Sequence, residues 1–131
     1  MGQNNVMRWD CEKSGCFNKK HRVKLGRLSD ALPGNIGFTD VDGIVEINGK
    51  GLMLEWKGED VPVPRGQHIM YVRLTRGKAL TVIIVEGDAE TMDVYSIGYY
   101  YDGKKIDTGK ASLSTLVETI KSWVSFAQEA R

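Results

Sequence analysis

The segment that decides the fold is Asp40-Val-Asp42-Gly-Ile-Val-Glu-Ile-Asn48-Gly49-Lys-Gly-Leu-Met-Leu-Glu55-Trp-Lys57. Two runs of strand-forming residues flank Asn48-Gly49, the dipeptide that most strongly favours a two-residue hairpin turn. If these two residues form the centre of a type I′ turn, Ile47 pairs with Lys50, and the register of the whole ladder follows. The sequence therefore predicts a β-hairpin.

This register brings charged residues of the two strands together. It places Asp42 directly opposite Glu55, and Asp40 directly opposite Lys57, all on one face of the hairpin. Opposed residues have Cβ atoms roughly 4.5–5.5 Å apart, and like charges at that separation are destabilising unless a cation compensates. Two facing carboxylates therefore predict a site for a hard divalent cation such as Mg²⁺. The alternative is a solvated face on which Asp40 merely pairs with Lys57. The opposite face of the second strand carries Leu52, Leu54 and Trp56.

The same residues resemble the motifs of a known family. Asp42, followed thirteen positions later by Glu55-Trp56-Lys57, resembles the D…ExK signature of the PD-(D/E)XK nuclease superfamily. Further along, Gln67-His-Ile-Met-Tyr71 is similar to the QxxxY motif of the RecB-type and lambda-exonuclease-like branch of that superfamily. The resemblance covers residues 36–86.

The resemblance implies a restriction-endonuclease-like core, similar to that of Holliday-junction resolvases, and Mg²⁺- or Mn²⁺-dependent hydrolysis of phosphodiester bonds in DNA. By this likeness Asp42, Glu55 and the backbone carbonyl of Trp56 are the metal ligands, and Asp40 supports them. Lys57 is then catalytic. Gln67 and Tyr71 position the DNA strand. The likeness also favours a phage or prophage origin, and a homodimer or a larger nuclease or recombination complex.

Length and composition bound the class of protein. The chain has 131 residues, 41% hydrophobic and 27% charged, which is typical of one globular domain. We expect a single domain over residues 1–131, with a basic, cysteine-containing segment at 1–35, a catalytic core at 36–110 and a C-terminal helix at 111–131. The net charge of +1 does not decide for or against nucleic acid. No apolar run is long enough for a membrane span, and a cytoplasmic protein is expected.

The N-terminal segment carries the cysteines of the chain. Cys11, Cys16 and His21 offer three soft ligands where a structural zinc site needs four. A zinc site and two ordinary thiols both stay open.

The same segment carries the one basic cluster in the sequence. Its members are Lys19, Lys20, Arg22, Lys24 and Arg27. The cluster is either a solvated face or, as we favour beside a predicted metal site, a contact for nucleic-acid phosphates.

A helix is predicted after the hairpin, beginning at Pro64 or Arg65 and ending before Gly77. Gln67 and Tyr71 are four residues apart, so they lie on one face of this helix. They are either buried hydrogen-bonding groups or, in the nuclease interpretation, neighbours of the metal. His68 points elsewhere and is expected to be exposed.

The remaining elements complete an α/β pattern. Residues 80–85 form an apolar, β-branched run typical of a central strand, and residues 92–101 form a second strand that ends in Tyr99 to Tyr101. These tyrosines are expected to be shared between core and surface, and stacking on nucleobases is the alternative. The last segment has the apolar spacing of a helix, with Ser112 or Thr115 available to cap it. Its stripe packs on the sheet or, alternatively, on a second copy.

This order predicts an α/β fold, with a mixed β-sheet and flanking helices. Two other classes of function compete with the nuclease. One is a nucleic-acid- or protein-binding module without turnover, and the other is an accessory subunit that docks through its last helix.

Overall fold

The computed structural model describes residues 23–130, which contain a five-stranded sheet and two α-helices. The strands are β1 (Gly43–Ile47), β2 (Lys50–Lys57), β3 (Leu80–Asp88), β4 (Asp93–Tyr101) and β5 (Lys104–Lys110), and the helices are α1 (Arg65–Leu74) and α2 (Leu113–Gln128). The strand order is β1-β2-β3-β4-β5, in which β2 and β3 are parallel and the other neighbours are antiparallel. The predicted α/β fold with a mixed sheet and flanking helices is confirmed.

The chain divides into two compact units, and the boundary lies between Asp40 and Val41. The described part of the first unit contains a 3₁₀ helix, Leu25–Ala31, in which the Ser29 hydroxyl donates to the Gly26 carbonyl at 2.7 Å. The sheet and both α-helices belong to the second unit. The single domain over residues 1–131 stays a prediction.

The hairpin has the predicted register. Asn48 and Gly49 have φ angles of +52° and +85°, as a type I′ turn requires, and Ile47 pairs with Lys50. The β1–β2 ladder ends at the pair formed by Gly43, so both Asp40 and Asp42 precede the strand, which is shorter than expected. Beyond Gly43 a side chain connects the two segments: the Asp42 carboxylate accepts a hydrogen bond from the Trp56 backbone N–H at 2.7 Å.

The sheet is covered on both faces by apolar packing. Val82 and Ile84 of β3 lie on the face covered by α1, in one cluster with Tyr71. Ile83 and Val85 lie on the opposite face, in a cluster to which α2 contributes Leu116, Trp123 and Ala127. β3 is thus the central strand, as its apolar run predicts. Leu52, Leu54 and Trp56 pack on the α2 face, also as predicted.

Hydroxyl side chains form hydrogen bonds at one end of each helix: at the start of α2 and at the end of α1. The Ser112 hydroxyl accepts from the Thr115 backbone N–H, and the Thr115 hydroxyl accepts from the Ser112 N–H, so the predicted capping residues form a capping box. At the end of α1, the buried Thr75 hydroxyl donates to the Tyr71 carbonyl and accepts from the Gly103 N–H. These bonds tie α1 to the β4–β5 turn.

One strand was not predicted. β5 follows Asp102 and Gly103, whose φ angles of +51° and +78° match those of the first hairpin turn. Its sequence, Lys-Lys-Ile-Asp-Thr-Gly-Lys, has no alternation of apolar and polar residues, and every residue of β5 is exposed. The sequence interpretation therefore ended the sheet at residue 101 and missed β5.

Within residues 23–130, neither helix has the length and apolar character needed to cross a membrane.

Candidate active site

Strand β2 and helix α1 bring four of the predicted site residues together. Glu55 and Lys57 are two positions apart on β2 and so share its α1 face, while Gln67 and Tyr71 are one turn apart on α1. The Lys57 Nζ donates to Gln67 Oε1 at 2.8 Å and lies 3.5 Å from Glu55 Oε2. The Tyr71 hydroxyl donates to the Glu55 carboxylate. We call Glu55, Lys57, Gln67 and Tyr71 the α1-face cluster.

Glu55 is a buried carboxylate with a like charge nearby. It is only 8% exposed, and its burial is the main reason that its pKa is raised above the ordinary value. The negative charge of Asp42 raises the pKa of Glu55 further, whereas Lys57 lowers it. Asp42, itself exposed, thus lies close enough to Glu55 for the two carboxylates to repel each other.

The backbone of Trp56 adds an oxygen on the same side. A residue in an extended strand directs its N–H and its C=O to the same edge. The Trp56 N–H donates to Asp42, so its carbonyl is directed toward the side of β2 where β1 has already ended. The Trp56 indole lies on the opposite face, where its Nε1 donates to the Gly87 carbonyl at 3.1 Å.

These donors suit a small hard cation. Across residues 23–130, no three side chains of His, Cys, Asp or Glu are grouped so that they could hold a metal ion. The oxygens available here are those of two carboxylates, Asp42 and Glu55, whose charges repel each other, and that of the Trp56 carbonyl. Mg²⁺ is held in this way in many proteins, through one or two carboxylates with water completing its coordination. The donor set therefore fits Mg²⁺.

A histidine and a tyrosine extend the α1-face cluster beyond the predicted residues. The His68 Nδ1 lies 2.8 Å from the Tyr100 hydroxyl, and His68 is half-buried, so the prediction that it is exposed is wrong. Tyr100 is fully buried, and its ring lies 5.3 Å from that of Tyr71. It therefore packs against the residue that donates to Glu55. Tyr99 and Tyr101 are half-buried, which confirms the expected sharing of the tyrosines between core and surface.

Glu86 is a further residue that the sequence interpretation missed. It is the β3 partner of Lys57 in the parallel register. Its carboxylate accepts from the Asp60 N–H at 2.5 Å and from the Ser96 hydroxyl at 2.8 Å, and these bonds lower the pKa of Glu86. Glu86 thus fastens the loop that follows Lys57. No local motif marks it, because both of its partners lie far from it in the sequence.

The other predicted site residues belong to the first unit or lie outside the described residues. Asp40 is exposed and belongs to the first unit, so its supporting role stays a prediction. Lys24 and Arg27 are exposed in that same unit. The remaining predicted zinc and nucleic-acid contacts lie outside the described residues: Cys11, Cys16, Lys19, Lys20, His21 and Arg22.

Comparisons with protein-family models, with curated proteins and with solved structures find no match to this chain. The likeness to the PD-(D/E)XK superfamily is therefore a likeness of motif residues. The hairpin and α1 bring four of them into contact: Glu55, Lys57, Gln67 and Tyr71. Asp42 lies close enough to Glu55 for its charge to raise the pKa of that residue.

Proposed function

We propose that this protein is a metal-dependent nuclease that hydrolyses phosphodiester bonds in DNA. The observation that carries the proposal is the position of Lys57 between the two motifs. Its ammonium group lies 3.5 Å from a Glu55 oxygen of D…ExK and 2.8 Å from the Gln67 oxygen of QxxxY. Two separate sequence signatures thus supply one cluster of side chains.

The metal would be held by Asp42, Glu55 and the Trp56 carbonyl. A divalent cation bound there supplies two things, a lowered pKa for an attacking water and positive charge near the scissile phosphate. The raised pKa of Glu55 supports such a site, because burial and the charge of Asp42 both disfavour the ionised carboxylate. Asp42 and Glu55 would hold such a cation, and its charge would offset their repulsion.

Lys57 supplies a fixed positive charge. Its side chain is 13% exposed and is held at two points, by Gln67 and by Glu55. A charge that is held in place before the reaction stabilises the negative charge that develops on the phosphate oxygens without a reorganisation cost. Gln67 therefore orients Lys57, and Tyr71 orients Glu55 by donating to its carboxylate.

A purely structural ion pair explains the α1-face cluster less well. A buried ion pair contributes little net stability, because the cost of removing both charges from water offsets their attraction. Glu55 has in addition been buried close to a like charge, which destabilises the folded protein. Carboxylates with pKa values raised in this way are typical of functional sites.

The test is cleavage of labelled linear, circular, single-stranded and branched DNA in Mg²⁺, Mn²⁺ or EDTA. The informative variant is Asp42→Asn, because an asparagine oxygen can still accept from the Trp56 N–H while the charge is lost. We expect cleavage that needs the metal and falls at least about 100-fold in this variant.

Glu46→Gln is the matched control. Glu46 is an exposed acidic residue of β1, and its carboxylate accepts from the Gly49 N–H at 2.6 Å, within the turn. This variant should cut like the wild type. If DNA is bound but never cut with either metal, the nuclease is excluded and the chain is a binding module.

A further inference from the structure

A cleft opens beside Lys57 on the α1 face of the sheet. Its volume is about 410 Å³, and it lies between the loop 60–63 that follows β2 and the edge strand β5. Lys57 is the member of the α1-face cluster that also lines this cleft. We call it the Lys57 cleft.

The floor of the Lys57 cleft continues the cross-strand row that begins at Glu55. In the sheet Glu55 pairs with Ile84, Ile84 with Gly98, and Gly98 with Asp107. Neighbouring strands are about 4.8 Å apart, so the floor begins one strand away from the buried carboxylate. Gly98 keeps this floor flat, since a Cβ there would lie 3.0 Å from Asp107 Oδ1 and 3.1 Å from the Ile106 carbonyl.

The walls of the Lys57 cleft are polar and of mixed charge. Three carboxylate residues and two lysines line it, together with the Ser96 hydroxyl: Asp60, Glu86, Asp107, Lys57 and Lys105. The excess of carboxylates repels a phosphate chain. Hydrogen-bond donors and acceptors surround an apolar floor. Such a lining suits an uncharged group that itself carries both donors and acceptors.

We propose that the Lys57 cleft binds the base of the nucleotide next to the scissile phosphate, so that the preferred substrate has an unpaired nucleotide there. This assignment rests on the proposed nuclease function. A base edge carries donors and acceptors, as the walls require. The volume lies at the small end of the range for ligand sites and takes one nucleoside rather than a base pair. A base held in a duplex must first be unpaired and unstacked, and the free energy this costs favours a base that is already unpaired.

The experiment follows the backbone amide resonances of the wild-type protein by NMR, without metal, during titration with thymidine and separately with inorganic phosphate. We expect thymidine to shift the amides of Gly98 and Asp107, and phosphate to leave both unchanged. The double variant Lys105→Ala/Asp107→Ala should bind thymidine about tenfold more weakly, the equivalent of about 1.4 kcal/mol. It removes both members of a 3.9 Å ion pair, so neither charge is left without its partner.

Lys104→Ala is the matched control. Lys104 is exposed on the same edge strand, is no part of the cleft lining and points to the opposite face from Lys105. Its substitution should not change thymidine binding. The assignment is overturned if thymidine shifts neither amide, if phosphate reproduces the shifts, or if the double variant binds as tightly as the wild type.

The titration separates this assignment from the nuclease itself, because it involves neither metal nor turnover. Cleavage of DNA without thymidine binding overturns the cleft assignment alone. Thymidine binding without cleavage of any DNA overturns the nuclease, and with it the link between the cleft and a scissile phosphate. If both hold, single-stranded DNA should be cut at least about tenfold faster than the matching duplex, since the duplex must first be unpaired.

Discussion

The two faces of strand β2 differ in what they contribute. Toward α2 the strand presents Leu52, which is 3% exposed in a cluster of aliphatic side chains and the indole of Trp123. Toward α1 it presents Glu55 and Lys57, which are also largely buried but are held by polar contacts. One alternating sequence thus supplies apolar packing on one face and an electrostatically costly cluster on the other.

The difference shows why the α1 face is interpreted as a site. Buried charges are tolerated when they are paired and hydrogen-bonded, yet apolar residues of similar volume are often as stabilising or more so. Stability alone therefore gives no reason for a glutamate and a lysine at these positions. The α2 face stabilises the sheet, and under the proposed function the α1 face uses part of that stability to hold Glu55 and Lys57 in place.

The largest expected effect is on the α2 face. Leu52→Ala should lower the free energy of unfolding by about 2–5 kcal/mol, since it removes a buried side chain and leaves a cavity. Denaturant titration measures this loss. Ile44→Ala, on the edge strand and 67% exposed, is the matched control and should change stability by less than about 0.5 kcal/mol. If the two losses are equal, Leu52 is not part of the core.

The next effect is a loss of cleavage on the α1 face. Lys57→Met keeps most of the aliphatic stem but removes the charge, so cleavage should fall about 100- to 1000-fold, or about 2.7–4 kcal/mol in the barrier. The melting temperature should also fall, because Glu55 loses the cation that offsets its burial and the charge of Asp42. Cleavage is therefore compared well below the melting temperature of either protein. Initial cleavage rates and thermal melts of the same preparations measure both quantities. Cleavage at the wild-type rate would remove Lys57 from the mechanism.

A smaller effect is expected at the back of the α1-face cluster. Tyr100→Phe loses the hydrogen bond to His68 but keeps the ring against Tyr71, so the protein should lose about 1 kcal/mol of stability. Cleavage should fall less than tenfold, because Tyr71 and Glu55 stay in contact. A loss as large as that of Lys57→Met would show that the His68–Tyr100 pair takes part in the reaction itself.

Much of this arrangement is readable from local sequence. Asn48-Gly49 sets the hairpin register, and the spacing of Gln67 and Tyr71 sets their common face on α1. Both are short-range patterns, in which a turn type or a helical period decides the geometry. The contact between Lys57 and Gln67 follows once the helix covers the sheet on this side.

The features that were missed depend on long-range contacts or lack a pattern. His68 is half-buried because Tyr100 reaches it from a strand 32 residues away, and nothing near His68 in the sequence indicates that partner. β5 has no apolar face, so only the Asp102-Gly103 turn signals a further strand. The Lys57 cleft combines residues from a loop and four strands, and its existence follows from the sheet order.

The central claim, that Glu55 serves function at the expense of stability, is tested most directly by Glu55→Gln. Above its ordinary pKa of 4.5 the unfolded chain loses the Glu55 proton while the folded protein still holds it, so folding becomes less favourable as pH rises through the raised pKa. The penalty is present at neutral pH and absent near pH 4. Glutamine removes the charge and hence the penalty.

The measurement is Mg²⁺-dependent DNA cleavage and the melting temperature of Glu55→Gln and wild type, each at pH 7, with melting repeated near pH 4. We predict that cleavage falls at least about 100-fold while the melting temperature at pH 7 rises, and that this rise disappears near pH 4. Retained cleavage would contradict the account. So would a loss of cleavage accompanied by a lower melting temperature at pH 7, since Glu55 would then be a structural residue.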